Sequence, residues 1–303
     1  MRNAFNDVLI EAARKDEALV LLVGDIGFKV FDAFRDEFPG RFYNVGIAEA
    51  NMIGVAAGLA MAGMRPVVYT IIPFLVMRAF EQIRVDLCMQ NLPVRLVGVG
   101  GGLSYDTLGP THHSVEDLAI MRALPNMKIL TPSDPEETKQ CFLDSSNNKG
   151  PTYIRLGKGG ENNLLSAEQM EDRIQDKAHV IRKGKDILFV ACGPILEEVF
   201  GAAEDLAENF NCGIMNINTL KPFDHESIYH HIKNMKLIVT VEEHNVIGAL
   251  GSAVAETVSS LSSHPPLLMI GIKDIMTNII GKRDYLLKYH QIDAKSISKR
   301  VRN

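Results

Sequence analysis

Short runs of consecutive apolar residues alternate along this chain with longer stretches in which apolar positions recur at helical spacing. Runs of the first kind occupy 19–25 (LVLLVGD), 65–72, 93–98, 128–130 and 151–156, and they read as strands buried on both faces. Between them, 48–61, 74–90, 115–124 and 135–142 read as helices, the first rich in small residues that allow close packing. Such alternation is the pattern of a parallel sheet covered by helices. Past residue 157 the character changes, and GKGGENN with the polar, mixed-charge stretch after it reads as a linker. Strand-like runs then resume at 187–192, 213–217, 237–242 and 267–272. At 303 residues the chain also exceeds the size at which single cores tend to divide. The expectation is an α/β protein of two domains, each a parallel or mostly parallel sheet flanked by helices. The divisions expected are 1–160, a linker over 161–185, and 186–303.

Open α/β sheets collect ligands outside the carboxyl ends of their strands. That directs attention to Asp25, to 46–49, to 72–74 and to 98–113. Glu49 opens a helix that is otherwise nearly all small or apolar. From spacing alone a first-turn acid favoured by the helix dipole is the better explanation, with a carboxylate sharing a proton with a ring nitrogen as the functional alternative. The glycine-rich 98–104 matches neither the P-loop nor the dinucleotide fingerprint and reads as a permissive loop. Beyond it stand His112 and His113, where one histidine hydrogen-bonding a substrate is a more economical function than two neighbours chelating one metal. Glu242, Glu243 and His244 look catalytic as a group, but capping a helix or joining domains is the favoured reading.

Composition narrows the partners. A formal charge of −5 and pI near 6.0 argue against nucleic acid. No apolar run approaches the ~18–20 residues of a membrane span, and the first residues lack the apolar core of a signal peptide. Cys88, Cys141, Cys192 and Cys212 lie far apart without metal-type spacing, so buried free thiols and a cytoplasmic location are expected.

Several segments, in order, resemble the transketolase family: GIAEANMIGVAAGLAMAG from Gly46, RPVVYT, FEQIRVD, LGPTHHSVEDLAIMRALPNMKILTPSD, PTYIRLGK and VTVEEHNVIGALGSAVAE. The first five are similar to the pyrimidine-binding domain for thiamine diphosphate and the last to the family's C-terminal domain, over essentially the whole chain. The resemblance implies that Glu49 hydrogen-bonds N1′ of the cofactor's aminopyrimidine, favouring the tautomer that activates the thiazolium, and that His112 reaches substrate hydroxyls. It implies a pocket of Asp25, Ile72, Leu75 and Phe80, with Phe74 an alternative stacking residue, and substrate contacts from Arg2, Lys29 and Lys158. The family's Gly-Asp-Gly motif and downstream Asn, which hold Mg²⁺ and the diphosphate, have no counterpart here. A partner chain, the diphosphate-binding N-terminal transketolase subunit, is therefore implied, in an α2β2 heterotetramer that moves a two-carbon ketol unit between a ketose and an aldose, as sugars or sugar phosphates. Leu108 stands where the family has an aspartate, Gly100 where it has a phosphate-contacting histidine, Lys158 where it has an arginine and Lys29 where it has a small hydroxyl residue. These departures leave the sugar open, a nucleotide-linked one included. Readings that share the motifs are a 1-deoxyxylulose-5-phosphate synthase-like subunit, a 2-oxo-acid dehydrogenase β-like subunit and a non-catalytic scaffold.

Overall fold

A computed structural model describes residues 1–276 and 278–303. Its strands are β1 (Leu19–Val23), β2 (Phe42–Asn44), β3 (Arg65–Ile71), β4 (Arg95–Val99), β5 (Lys128–Leu130), β6 (Thr152–Leu156), β7 (His179–Arg182), β8 (Ile187–Cys192), β9 (Cys212–Asn216), β10 (Thr219–Lys221), β11 (Leu237–Asn245) and β12 (Leu267–Ile272). They form a seven-stranded sheet, ordered β10-β5-β6-β4-β3-β1-β2, and a five-stranded sheet, ordered β12-β11-β8-β9-β7. Every residue of β1, β4, β6 and β8 is buried, which is why these strands read as unbroken apolar runs. Pairing is parallel except at one edge of each sheet, where β10 runs antiparallel to β5 and β7 antiparallel to β9. The two-domain α/β class expected from the pattern is the class observed.

Three details differ from the expectation. The stretch expected as a linker, 161–185, holds a short helix, Ala167–Glu171, closed by a Ser166–Gln169 capping box, and then β7 at the edge of the second sheet. Further on, β10 follows β9 in sequence yet completes the first sheet, with Thr219 opposite Leu130. The domains are thus stitched by a shared strand. The 74–90 helix also differs. It is interrupted: a helix Ile72–Val76 started by Pro73, a turn at 77–79, a short helix Phe80–Gln82, and a π-helical stretch Ile83–Met89. Proline at the first turn suits a helix start because its missing N–H has no intrahelical partner there.

Four carboxyl ends of the first sheet converge on one edge. β1 leads into Gly24 and Asp25, β2 into Gly46 and then the helix Glu49–Met61, β3 into Ile72–Val76, and β4 into the glycine loop and His112.

Candidate active site

Glu49 is 1% exposed and is the first residue of its helix, with no side-chain cap at Ala48. Its Oε2 accepts a hydrogen bond from Arg78 Nη1 at 2.6 Å. Arg78 was not singled out from the sequence, and its side chain is 46% exposed. The same guanidinium lies 4.8 Å from the centre of the Phe74 ring. Phe74 in turn meets the His112 ring edge-on, with centroids 5.2 Å apart, and Tyr105 stands 5.7 Å from His112 on another side. Glu49, Arg78, Phe74 and His112 therefore form one contiguous surface.

The imidazole of His112 is oriented by Thr111, whose Oγ1 lies 2.9 Å from Nδ1. With the hydroxyl donating to Nδ1, the neutral ring presents Nε2–H outward. Partial burial, and then the neighbouring His113, lower the His112 pKa, so the ring is neutral at pH 7 and suited to hydrogen-bonding a hydroxyl. His113 is turned inward, with Nε2 on the carbonyl of Asp106 at 2.9 Å. The adjacent histidines do different jobs.

Space at the carboxylate is kept by glycine. A Cβ on Gly24 would come within 3.1 Å of Thr70 Oγ1 and 3.6 Å of Glu49 Oε1. Thr70 Oγ1 is buried and without a hydrogen-bond partner. A glycine that keeps a side chain away from the acid, an orphaned hydroxyl and a buried carboxylate linked through Arg78 to an aromatic ring fit a planar heteroaromatic ring with polar edges. Asp25 borders this space in a left-handed conformation (φ 57°), tied to Asn44.

Other expected residues are placed less uniformly. Ile72 and Leu75 are 0% exposed and pack in the core of the first domain, as buried as Glu49 itself. Phe80 is half-buried and rests against the same core. Arg2 and Lys158 line one interdomain cleft of about 620 Å³, together with Ser104, Glu161 and Arg283. Lys29 is exposed, in a left-handed turn (φ 65°), and does not line that cleft. Lys158 sits 5.3 Å from the Tyr105 ring and 3.8 Å from Asp106. Tyr105 fills the space above Gly100, where a Cβ would meet its ring at 2.0 Å. No side chain at position 100 fits beneath that ring, and Tyr105 forms the wall between His112 and Lys158.

Glu242 and Glu243 are structural here, as favoured from the sequence. Glu242 accepts from the backbone N–H of Leu250 and Gly251 at the start of the helix Leu250–Val258, both at 2.9 Å. Glu243 accepts from Leu103 N at 2.7 Å across the domain boundary and pairs with Arg283. All four cysteines are free and buried. Among the described residues no group of three or more His, Cys, Asp or Glu side chains is placed to hold a metal ion, and no helix is long and apolar enough to cross a membrane.

What the sequence reading missed is legible in retrospect. Arg78 is the only charge within 71–80 (IIPFLVMRAF), and a lone cation in an apolar run needs a partner. Tyr105 carried no such mark.

The geometry defines a class: two α/β domains, the first with a buried acid beside an aromatic ring at the carboxyl ends of its strands. Comparison with known proteins gives the family. The family described as "Transketolase, pyrimidine binding domain" matches residues 1–161, and "Transketolase, C-terminal domain" matches residues 176–297. The chain belongs to the transketolase family. It is 38% identical over 303 residues to a "Putative transketolase C-terminal section" of Methanocaldococcus jannaschii, covering 99% of this chain and 95% of the relative. It is likewise 38% identical over 299 residues to one of the subunits of an apulose-4-phosphate transketolase of Actinobacillus succinogenes, covering 98% of this chain and 96% of the relative. A solved structure described as "Split gene transketolase, inactive beta4 tetramer" superposes with a TM-score of 0.90 at 34% identity, over 99% of this chain and 96% of that one.

Proposed function

We propose that this chain is the pyrimidine-binding, C-terminal half of a split transketolase, moving a two-carbon ketol unit from a ketose to an aldose only when joined by a partner. The observation that carries this is the buried Glu49 carboxylate at the aromatic edge, in a chain matched end to end by relatives named as transketolase sections or subunits. Thiamine diphosphate, when bound, supplies the carbon nucleophile and electron sink for C–C cleavage and formation. Glu49 would hold the N1′ edge of its aminopyrimidine and share a proton there. Phe74 and Phe80 are the aromatic candidates for its face, and Asp25 borders it. His112 would direct Nε2–H at a substrate hydroxyl, while Arg2 and Lys158 in the interdomain cleft, with Lys29 apart from them, would bind the sugar or sugar-phosphate chain.

Mg²⁺ and the diphosphate belong to the partner, a diphosphate-binding transketolase subunit, in an α2β2 assembly in the cytoplasm. Exposed Phe28, Ile47, Val55, Met61 and Met77, all on segments that build the site, are the apolar surface such a partner would cover. The chain alone is therefore expected to be inactive, a state named for its solved relative. The test is reconstitution. Co-purification with a candidate partner, then ketol transfer with Mg²⁺ and thiamine diphosphate, should give turnover and cofactor binding; a stable pair that does not bind the cofactor would overturn the reading.

A further inference from the structure

Glu49 is buried, yet the group that holds it is not. Arg78 lies in the turn at 77–79 between two short helices, and its side chain is 46% exposed. Its guanidinium makes one hydrogen bond, Nη1 to Glu49 Oε2 at 2.6 Å, and one ring contact, 4.8 Å to the Phe74 centroid. A guanidinium is a flat group with N–H donors on its edge and a face that stacks on aromatic rings. An aminopyrimidine is also flat, with polar nitrogens on its edge and a face that stacks. Arg78 thus offers to Glu49 and Phe74 the two contacts that a pyrimidine ring would make with them.

We propose that Arg78 is an internal stand-in for the aminopyrimidine, occupying Glu49 and Phe74 in the partner-free chain and competing with thiamine diphosphate for them. This rests on the role given to Glu49 above. The physical logic has two sides. A buried carboxylate without a partner is costly, so a chain that waits for cofactor and partner needs a temporary donor there. A donor on an exposed, flexible stem leaves easily, because only that hydrogen bond and that ring contact are lost and the cation returns to water. A fixed backbone donor would satisfy Glu49 equally well and block it permanently. Occupied sites bind in proportion to the fraction that is open, so cofactor affinity in the assembled enzyme is reduced by the population of the Arg78-closed state.

The experiment is calorimetric titration of thiamine diphosphate, with Mg²⁺ present, into the reconstituted pair carrying wild-type chain, Arg78→Met or Arg78→Lys. Met keeps an apolar stem without donors, and Lys keeps the charge without the flat fork. Arg78→Met should bind the cofactor about tenfold to a hundredfold more tightly than wild type, the range expected when a hydrogen bond to a charged group stops competing. Arg78→Lys should fall between the two. Generic damage to the site weakens binding, so a gain in affinity separates release of a competitor from loss of structure. Unchanged or weaker binding in Arg78→Met overturns the proposal. Glu49→Gln in the same pair separates this outcome from failure of the functional reading: normal turnover there removes the role of Glu49 itself, whereas a dead Glu49→Gln beside an unaltered Arg78→Met removes only the stand-in.

Discussion

Glu49, the first residue of its helix in the first domain, and the Glu242–Glu243 pair within β11 in the second are all buried carboxylates. They differ in what holds them. Both oxygens of Glu242 are taken by N–H groups of a helix start, and Glu243 is fixed by Leu103 N and Arg283. Those donors are backbone N–H groups and one mostly buried guanidinium, 25% exposed against 46% for Arg78. Among the described residues Glu49 has one donor, on a side chain that reaches water, and its Oε1 lies beside Gly24, where a Cβ would come within 3.6 Å. Burial and sequence context do not separate these acids. Whether their donors are fixed does.

The sharpest break between the two regions is catalytic. Glu49→Gln keeps the shape and removes the proton-sharing group, so turnover of the reconstituted pair should fall by about a thousandfold, within the range for a positioned acid–base group. The thermal midpoint should hardly move. Near-normal ketol transfer would return Glu49 to the structural class.

Glu243→Gln should do the reverse. Arg283 would be left facing a neutral amide, and breaking a buried pair by changing one partner costs about 3–5 kcal/mol. Chemical denaturation of the chain should show that loss. Activity per folded pair should stay, because among the described residues the Glu243 carboxylate accepts hydrogen bonds from Leu103 N and Arg283 alone. A stable Glu243→Gln with lost turnover would mean that the second domain contributes chemistry.

Titration gives a finer contrast within the second domain. Burial pushes the Glu242 carboxyl up to about 7, against the two N–H donors that hold it down. As its folded pKa lies above the unfolded value of about 4.5, the native state binds the extra proton, and the stability it contributes is lost as pH rises through 7. Burial also pushes His244 down to about 4. Its Nδ1 faces the Asn245 carbonyl and its Nε2 accepts from Ala119 N, so the neutral ring is already satisfied. That stability is present above about 6.5 and is lost as pH falls through 4. Between about 4.5 and 6.5 the two slopes oppose each other, each up to about 1.4 kcal/mol per pH unit. Glu242→Gln should unmask a stability that rises with pH across that window, as read from unfolding curves at several pH values. An unchanged pH profile would show that Glu242 stays ionised in the folded chain.

The uneven legibility of the sequence follows the same physics. Strands such as β1 and β4 are buried on both faces, so burial wrote them as apolar runs. β7 and β10 are edge strands of four and three residues, defined by the neighbour they pair with rather than by their own pattern. Glu49 looked like any helix-start acid until an ordered set of motifs surrounded it. Its partner Arg78 lies 29 positions away, and no spacing rule connects them. Ile72 and Leu75 lie on the helix directly after β3 and are buried, so their apolar character is explained by the core as well as by a pocket wall.

Asn44 supplies the smallest and most local test of the difference between holding a site and acting in it. Its side-chain oxygen accepts from Asp25 N at 3.1 Å and from Gly46 N at 3.0 Å, and its amide donates to Asp25 Oδ1 at 3.0 Å. Asp25 and Gly46 both sit at positive φ, 57° and 76°. A Cβ on Gly46 would meet nothing within 4 Å, so the glycine is needed there for its backbone conformation alone. One amide therefore locks two left-handed turns side by side, three residues before Glu49. Asn44→Ala frees both turns without touching the carboxylate. Exposed hydrogen bonds of this kind are worth about 1 kcal/mol net, so affinity for thiamine diphosphate in the reconstituted pair should drop about fivefold. Turnover at saturating cofactor should remain, the opposite split to Glu49→Gln. If turnover fell instead while affinity held, Asn44 would have to act on the reacting groups rather than on the shape of the site, because its reach through Asp25 and Gly46 is purely geometric.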